Sequence, residues 1–162
     1  MSLESGSDWA GCPRTRRSTT GGCLMVGAHA IKHWSSTQTG VALSSGEAEF
    51  YGLVSNTAAT LGLISILKDW GWIFRGQVLM DATAAIAIGS RRGLGKIKHI
   101  DTAYLWVQHV YNEGKLTLGK RDTKSMLADF LTKAVDETTI LRCLPGLGMH
   151  FEEGFHKMAL KA

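Results

Sequence analysis

Apolar residues recur at Phe50, Leu53, Val54, Ala58, Leu61, Ile64 and Leu67, the three-and-four spacing of one helix face. Just before them, Ser44-Ser45-Gly46-Glu47 has the form of a capping box, in which Ser44 accepts from a first-turn amide and Glu47 reaches back. The pattern predicts a long helix from Ser44 to Asp69, stopping before Gly71.

Elsewhere the period shortens. Two short strands are expected over Cys23 to Gly27 and Ala30 to Ser35, joined by a tight Gly27-Ala28-His29 turn. Ser7 to Ala10 read as the end of a first strand with little chain before it. Gln77-Val78-Leu79-Met80 is an apolar run that ends on Asp81, and an alanine-rich helix follows at once. A further helix is expected over Asp101 to Asn112, a strand over Lys115 to Gly119, and a last core helix capped by Thr123 and running to Lys133. This order predicts an α/β fold, with a hairpin-rich sheet continuing into parallel strands and helices covering its faces. The domain is expected to span 1–135 with a truncated first strand. Residues 136–162, with Pro145, Gly146, Gly148 and Gly154, are expected to form a partly helical, loosely ordered tail.

Composition changes this picture little. The length of 162 residues suits one domain with a core, and an apolar fraction of 44% argues against disorder. A net charge of +4 permits a polyanionic partner without requiring one. Cys12, Cys23 and Cys143 have neither zinc-site nor redox spacing, so they read as free thiols in a reducing compartment. No signal peptide is visible, and the longest apolar stretch, Leu61 to Leu67, is too short to span a bilayer. An intracellular protein or fragment, cytoplasmic or nuclear and without a membrane partner, is expected.

Three acids stand where folding alone has little use for them. Glu49 precedes the apolar Phe50 in the long helix, Asp81 ends an apolar strand, and Asp129 lies between Ala128 and Phe130. An acid at the C-terminal end of a buried strand has the position of a site in an open α/β sheet. Carboxylates from separate elements are what metal-assisted phosphodiester hydrolysis needs, with two Mg²⁺ ions held roughly 4 Å apart. Taken singly, each acid has a plainer reading: solvated helix acids at Glu49 and Asp129, and at Asp81 a cap on the helix that follows. Two basic loops, Arg14, Arg16 and Arg17 in the first and Arg91, Arg92, Lys96 and Lys98 in the second, are candidate phosphate contacts or simply solvated loops. His99 is expected to pin its loop by a hydrogen bond. The five tryptophans, Trp9, Trp34, Trp70, Trp72 and Trp106, are expected in the core or at its rim.

Five blocks in order resemble the ribonuclease H domain of copia-type retrotransposon Pol polyproteins, across residues 5–135. They are Ser7-Asp8-Trp9-Ala10-Gly11 with Arg16-Arg17-Ser18-Thr19-Thr20-Gly21; Trp34-Ser35-Ser36-Thr37-Gln38 with Ser44 to Phe50; Asp81 with Ala84-Ala85-Ile86; Lys98-His99-Ile100-Asp101; and Leu127 to Lys133. The resemblance implies a ribonuclease H-like mixed five-stranded sheet flanked by helices. It implies metal-dependent hydrolysis of RNA in RNA–DNA hybrids, Mg²⁺ or Mn²⁺ in a two-metal site, and an original fusion to a reverse transcriptase domain. Carried over, the ligands are Glu49, Asp81 and Asp129, with Glu47 left as the capping residue. The family's opening motif reads Thr-Asp-Ser-Asp-Trp-Ala-Gly, and its first aspartate is a ligand. Gly6 stands at that position here, which implies an impaired or inactive enzyme. Glu4 and Asp8 flank Gly6 on the same strand face, and either could reach a metal with some shift, so Asp8 joins the catalytic candidates. Ala82 is a second departure, where the family has Asn or Ser.

Two other functions compete. One is a non-catalytic nucleic-acid-binding relic of the same fold, which Gly6 favours. The other is a transposase or integrase-like core, which the early glutamate and late Asp129 argue against.

Overall fold

The computed structural model describes residues 1–93, 95 and 100–150. Five strands form one sheet: β1 (Ser2–Ser7), β2 (Thr19–Val26), β3 (His29–Thr37), β4 (Gly76–Met80) and β5 (Leu116–Lys120). Their spatial order is β3-β2-β1-β4-β5. The first three strands form an antiparallel meander, whereas β4 and β5 run parallel to β1 and to each other. This is the expected mixed five-stranded sheet.

β1 lies at the centre of the sheet, and it begins and ends earlier than its sequence suggests. It occupies Ser2–Ser7, so the strand placed at Ser7 to Ala10 is corrected, and Asp8 lies just beyond its end. Ser-Leu-Glu-Ser-Gly-Ser does not alternate in the usual apolar–polar manner because its buried polar groups have partners instead. Ser5 Oγ accepts from Asn56 Nδ2 at 2.7 Å, and the same nitrogen donates to the Gly21 carbonyl at 3.0 Å. Asn56 Oδ1 in turn accepts from the Trp34 indole at 3.1 Å. Buried polar groups are tolerated when they are paired in this way.

The long helix α1 (Ser45–Asp69) begins as expected. Ser44 accepts from the Glu47 amide, and the Glu47 carboxylate accepts from the Leu43 amide at 3.0 Å and the Tyr51 hydroxyl at 2.7 Å. Gly71, at φ +86°, turns the chain away after it. By length and composition alone α1 is apolar enough to cross a membrane, contrary to the estimate from the Leu61 to Leu67 stretch. Here its Phe50 and Leu53 are the centre of the core, with Leu3, Leu24, Val78 and Met80 of the sheet. Helices α2 (Thr83–Ser90) and α3 (Trp106–Asn112) complete that side, and Gln108 of α3 ties them together by donating to the Ile88 carbonyl at 2.8 Å.

Ala82 occupies the N-cap of α2 and offers no side-chain acceptor. The plainer alternative for Asp81, a cap on this helix, is therefore not what the structure shows. Because a capping hydroxyl is worth about 1 kcal/mol, Ala82→Ser should raise stability by roughly that amount in urea melts. An unchanged midpoint would show that the α2 terminus is not limiting.

The opposite face of the sheet is covered differently from expectation. Thr123 to Lys133 do not form an α-helix but two 3-10 turns, Thr123–Ser125 and Leu127–Leu131, with the first capped by Asp122 rather than Thr123. Met126 is extended between them, at φ −76° and ψ 107°. The Leu127 amide is donated to the Glu4 carboxylate on the same face of the sheet at 2.5 Å, so it is not available to a helix. The C-terminal segment also packs closely as far as it is described. Helix α4 (Glu137–Cys143) and the turn at Leu144–Leu147 bring Leu147 against Cys23 and Met25 of β2. The part of the expected tail that is described, 136–150, thus includes a helix and packs on β2, and 151–162 lie outside the described residues. Trp9, Trp70 and Trp72, expected in the core or at its rim, are 55%, 72% and 62% exposed.

Candidate active site

The two faces of the sheet meet the candidate acids at one end. The odd residues of β1 face α1, as Leu3 and Ser5 show. The even ones face the turn at Leu127–Leu131, where Glu4 meets Leu127 and Gly6 meets Asp129. A Cβ added at Gly6 would lie 2.8 Å from Asp129 Oδ1 and 3.3 Å from the Ala128 carbonyl carbon. The position identified as a missing ligand therefore points straight at one of the three carried-over acids.

Glu49, on the first turns of α1, accepts from the Ser7 amide through Oε1 at 3.1 Å. Its Oε2 is buried and has no hydrogen-bond partner among the described residues. Asp81, immediately after β4, accepts from the Thr123 hydroxyl through Oδ2 at 2.9 Å. Burial pushes the Glu49 carboxyl up to about 8, and the nearby charges of Asp81, Asp129 and Asp8 add to the shift, against the Ser7 amide, which lowers it. Burial likewise pushes Asp129 up to about 6, with Asp81 and Glu4 adding and Lys133 opposing. The three acids therefore share one electrostatic environment and repel one another.

They do not close into a ligand cage. Among the described residues, no three His, Cys, Asp or Glu side chains lie close enough together to hold a metal ion. Gly6 offers no side chain toward Asp129. The donor set still suits a hard divalent cation. It consists of carboxylate oxygens from separate elements, one of them buried and without a partner.

The two flanking acids are engaged elsewhere. Asp8 accepts from the Thr19 amide through Oδ1 and lies over Gly11, closing the first basic loop. Glu4 is 2% exposed and pairs with Arg121 Nη1 at 3.0 Å besides holding the Leu127 amide. It braces the turn that carries Asp129. Burial raises its pKa, opposed by the Leu127 amide and Arg121.

Arg14, Arg16 and Arg17 are exposed on a tight loop in which Arg16 N donates to Cys12 O at 2.8 Å. Arg92 is exposed, and the Arg91 guanidinium lies against Gly95. Lys96, Lys98 and His99 lie outside the described residues. Two amides that sequence reasoning missed hold this end of the fold. Gln38 Nε2 donates to Ser7 Oγ, Thr20 Oγ1 and the Ala48 carbonyl at 2.8–3.1 Å, and Gln108 brackets Gly93. The only signal for either was a polar residue in a stretch destined for burial.

No family model matches the chain. It is 30% identical over 146 residues to the retrovirus-related Pol polyprotein from transposon TNT 1-94 of Nicotiana tabacum, covering 89% of this chain and 11% of that protein. It is 28% identical over 148 residues to the corresponding polyprotein from transposon RE1 of Arabidopsis thaliana, covering 90% and 10%. The chain thus spans about a tenth of the length of the curated relatives it matches. Among solved structures, LC11-RNase H1 in complex with an RNA/DNA hybrid superposes with a TM-score of 0.57 at 14% identity, over 86% of this chain and 98% of that one. The N-terminal RNase H domain of rv2228c from Mycobacterium tuberculosis gives 0.56 at 14%, over 82% and 96%. At such identity the likeness establishes the fold. Over most of its length the chain is therefore similar to a segment of retrovirus-related Pol polyproteins from transposons, and its fold is that of ribonuclease H.

Proposed function

We propose that this domain is a ribonuclease H by descent, acting on the RNA strand of RNA–DNA hybrids with a divalent metal, and that its hydrolysis is crippled at Gly6. The observation that carries the reading is the bare Gly6 backbone facing Asp129 Oδ1, beside a Glu49 oxygen without a hydrogen-bond partner among the described residues. Glu49, Asp81 and Asp129 would hold Mg²⁺ or Mn²⁺, which supplies an activated water and stabilises the leaving oxygen. The Ser7 amide and the Thr123 hydroxyl orient two of these carboxylates, and Glu4 holds the third on its turn. Incubation of the chain with a labelled hybrid and Mg²⁺ or Mn²⁺ should release little product. Rapid cleavage that Glu49→Gln abolishes would show that three acids suffice.

A second reading, binding without cleavage, is favoured by the same glycine. One structural neighbour was solved with a hybrid bound, and the exposed arginines of the first loop supply cations for phosphates here. Hybrid affinity should be weak and should fall with salt at a log–log slope of about −3 or steeper, as expected for several phosphate contacts. A slope near zero would exclude phosphate contacts as its source.

A further inference from the structure

A cleft of about 300 Å³ separates the two 3-10 turns at Thr123–Leu131 from α4. Its polar lining comes from three segments: Thr123, Lys124 and Ser125; Lys133; and Thr139 with Arg142. Lys124, Lys133 and Arg142 are exposed, and none forms an ion pair within 4.0 Å among the described residues. The cations outnumber the one lining carboxylate, Asp129, by two. Asp136, the nearest other acid in sequence, is occupied in capping α4 by accepting from the Thr139 amide at 3.0 Å. The floor, formed by Met126, Leu127, Phe130 and Cys143, is apolar and offers no competing anion.

Three exposed cations around one hollow, against the single lining carboxylate of Asp129, match a multiply charged oxyanion better than a neutral ligand, although Lys133 also acts on Asp129 and Arg142 on Asp136. The position adds to this. Asp129 is part of the cleft wall, and Thr123, on the opposite rim, donates its hydroxyl to Asp81. One candidate acid thus lines the cleft directly, and a second, Asp81, is one side chain away.

We propose that this cleft is a phosphate site that takes a backbone phosphate of a nucleic-acid strand lying across the acids, next along the strand from the position where they would act. It is distinct from both basic loops and belongs to the C-terminal segment. The strand part of the proposal rests on the hybrid-binding reading above, whereas the phosphate part does not.

Two measurements separate these parts. In the first, the isotope-labelled chain is titrated with inorganic phosphate at constant ionic strength. The backbone amide signals of Lys124, Ser125 and Thr139 should shift saturably. These shifts should vanish in Lys133→Ala/Arg142→Ala and persist in Arg14→Ala/Arg16→Ala/Arg17→Ala. Both sets of residues are exposed, and a thermal melt confirms that each variant is folded. In the second, hybrid affinity of the cleft variant should fall about tenfold, with a salt slope shallower by about 2, one for each phosphate-contacting cation removed. Diffuse shifts of all lysine-rich segments, or none, would overturn the phosphate site. Saturable phosphate shifts with undiminished hybrid affinity in the cleft variant would overturn its use by a strand and leave a free-phosphate site. A native chain that binds no hybrid at all sinks the binding reading and the strand assignment together, while the phosphate titration still decides the site.

Discussion

Gly6→Asp is expected to raise Mn²⁺-dependent cleavage of a labelled hybrid by about 100-fold or more, since restoring a misplaced or absent catalytic group is worth at least that much. The geometry says how the carboxylate would fit. A Cβ at position 6 meets Asp129 Oδ1 at 2.8 Å, and this is the mobile end of a side chain, so a rotation of Asp129 clears it. The Ala128 carbonyl carbon at 3.3 Å and the Asp129 nitrogen at 3.4 Å cannot move as easily, and they hold the new side chain close to its neighbour. Two adjacent carboxylates repel, so without metal the variant should be less stable than the native chain by about 1–2 kcal/mol. Mn²⁺ should reverse that loss, and the reversal is readable as a rise in melting temperature that EDTA abolishes. Two results would overturn the account. If the native chain cuts well and Asp8→Asn stops it, Asp8 is the ligand despite its bond to Thr19. If Gly6→Asp folds and gains Mn²⁺ stabilisation but does not cut, a further part is missing, with Ala82 the first suspect.

In EDTA, stability should fall steadily as pH rises from about 4.5 to about 8. Glu49 moves from 4.5 unfolded to about 8 folded, so over that range the folded chain binds a proton that the unfolded chain has released. A raised acid pKa therefore gives stability that is complete below pH 4.5 and lost as pH climbs through 8. At about 1.36 kcal/mol per pH unit, the loss from Glu49 is on the order of 3 kcal/mol or more. Asp129, moving from 3.8 to about 6, adds its share between those values. Glu49→Gln should flatten most of the profile and stabilise the chain at pH 8, because the amide keeps the shape without the charge. Saturating Mn²⁺ should also flatten it, since a nearby cation favours the ionised form. Urea midpoints across pH for the two chains test this, and identical profiles would show that Glu49 is hydrated and unstrained.

Much of the fold could be read where a local rule and the tertiary environment agree. The capping serine placed the start of α1, and the apolar spacing placed the face of its first turns, where Phe50, Leu53 and Val54 are buried; beyond them Ala58 is exposed and Asn56, Thr57 and Thr60 are buried instead. Asp81 was legible because an apolar run must stop where a strand leaves the core. The failures came from distant partners. Nothing near Leu127 says that its amide will be taken by a carboxylate 123 residues away, yet that bond helps prevent a helix there. β1 was misplaced because its buried serine is satisfied by Asn56 on another element. The candidate acids were named through family resemblance, and their pattern alone left each one open to a plainer explanation. The cleft cations, spread over three segments, left no local mark at all.

The bond between Glu4 and the Leu127 amide also sets an order of events during synthesis. The β1–β2–β3 meander is nearly complete within the first 37 residues, and its contacts are local enough to form early. The other edge of β1 stays open until β4 emerges, some 40 residues later in the chain. At a synthesis rate of about 5–20 residues per second, that edge is exposed for roughly 2–8 s. Glu4 waits longer still. Its carboxylate stays without Arg121 and the Leu127 amide, the latter 123 residues further along, until those residues have been made. Asp129 arrives on the same turn, so the acids gather only once that turn has been made. A nascent chain therefore carries its basic first loop well before it carries a finished site.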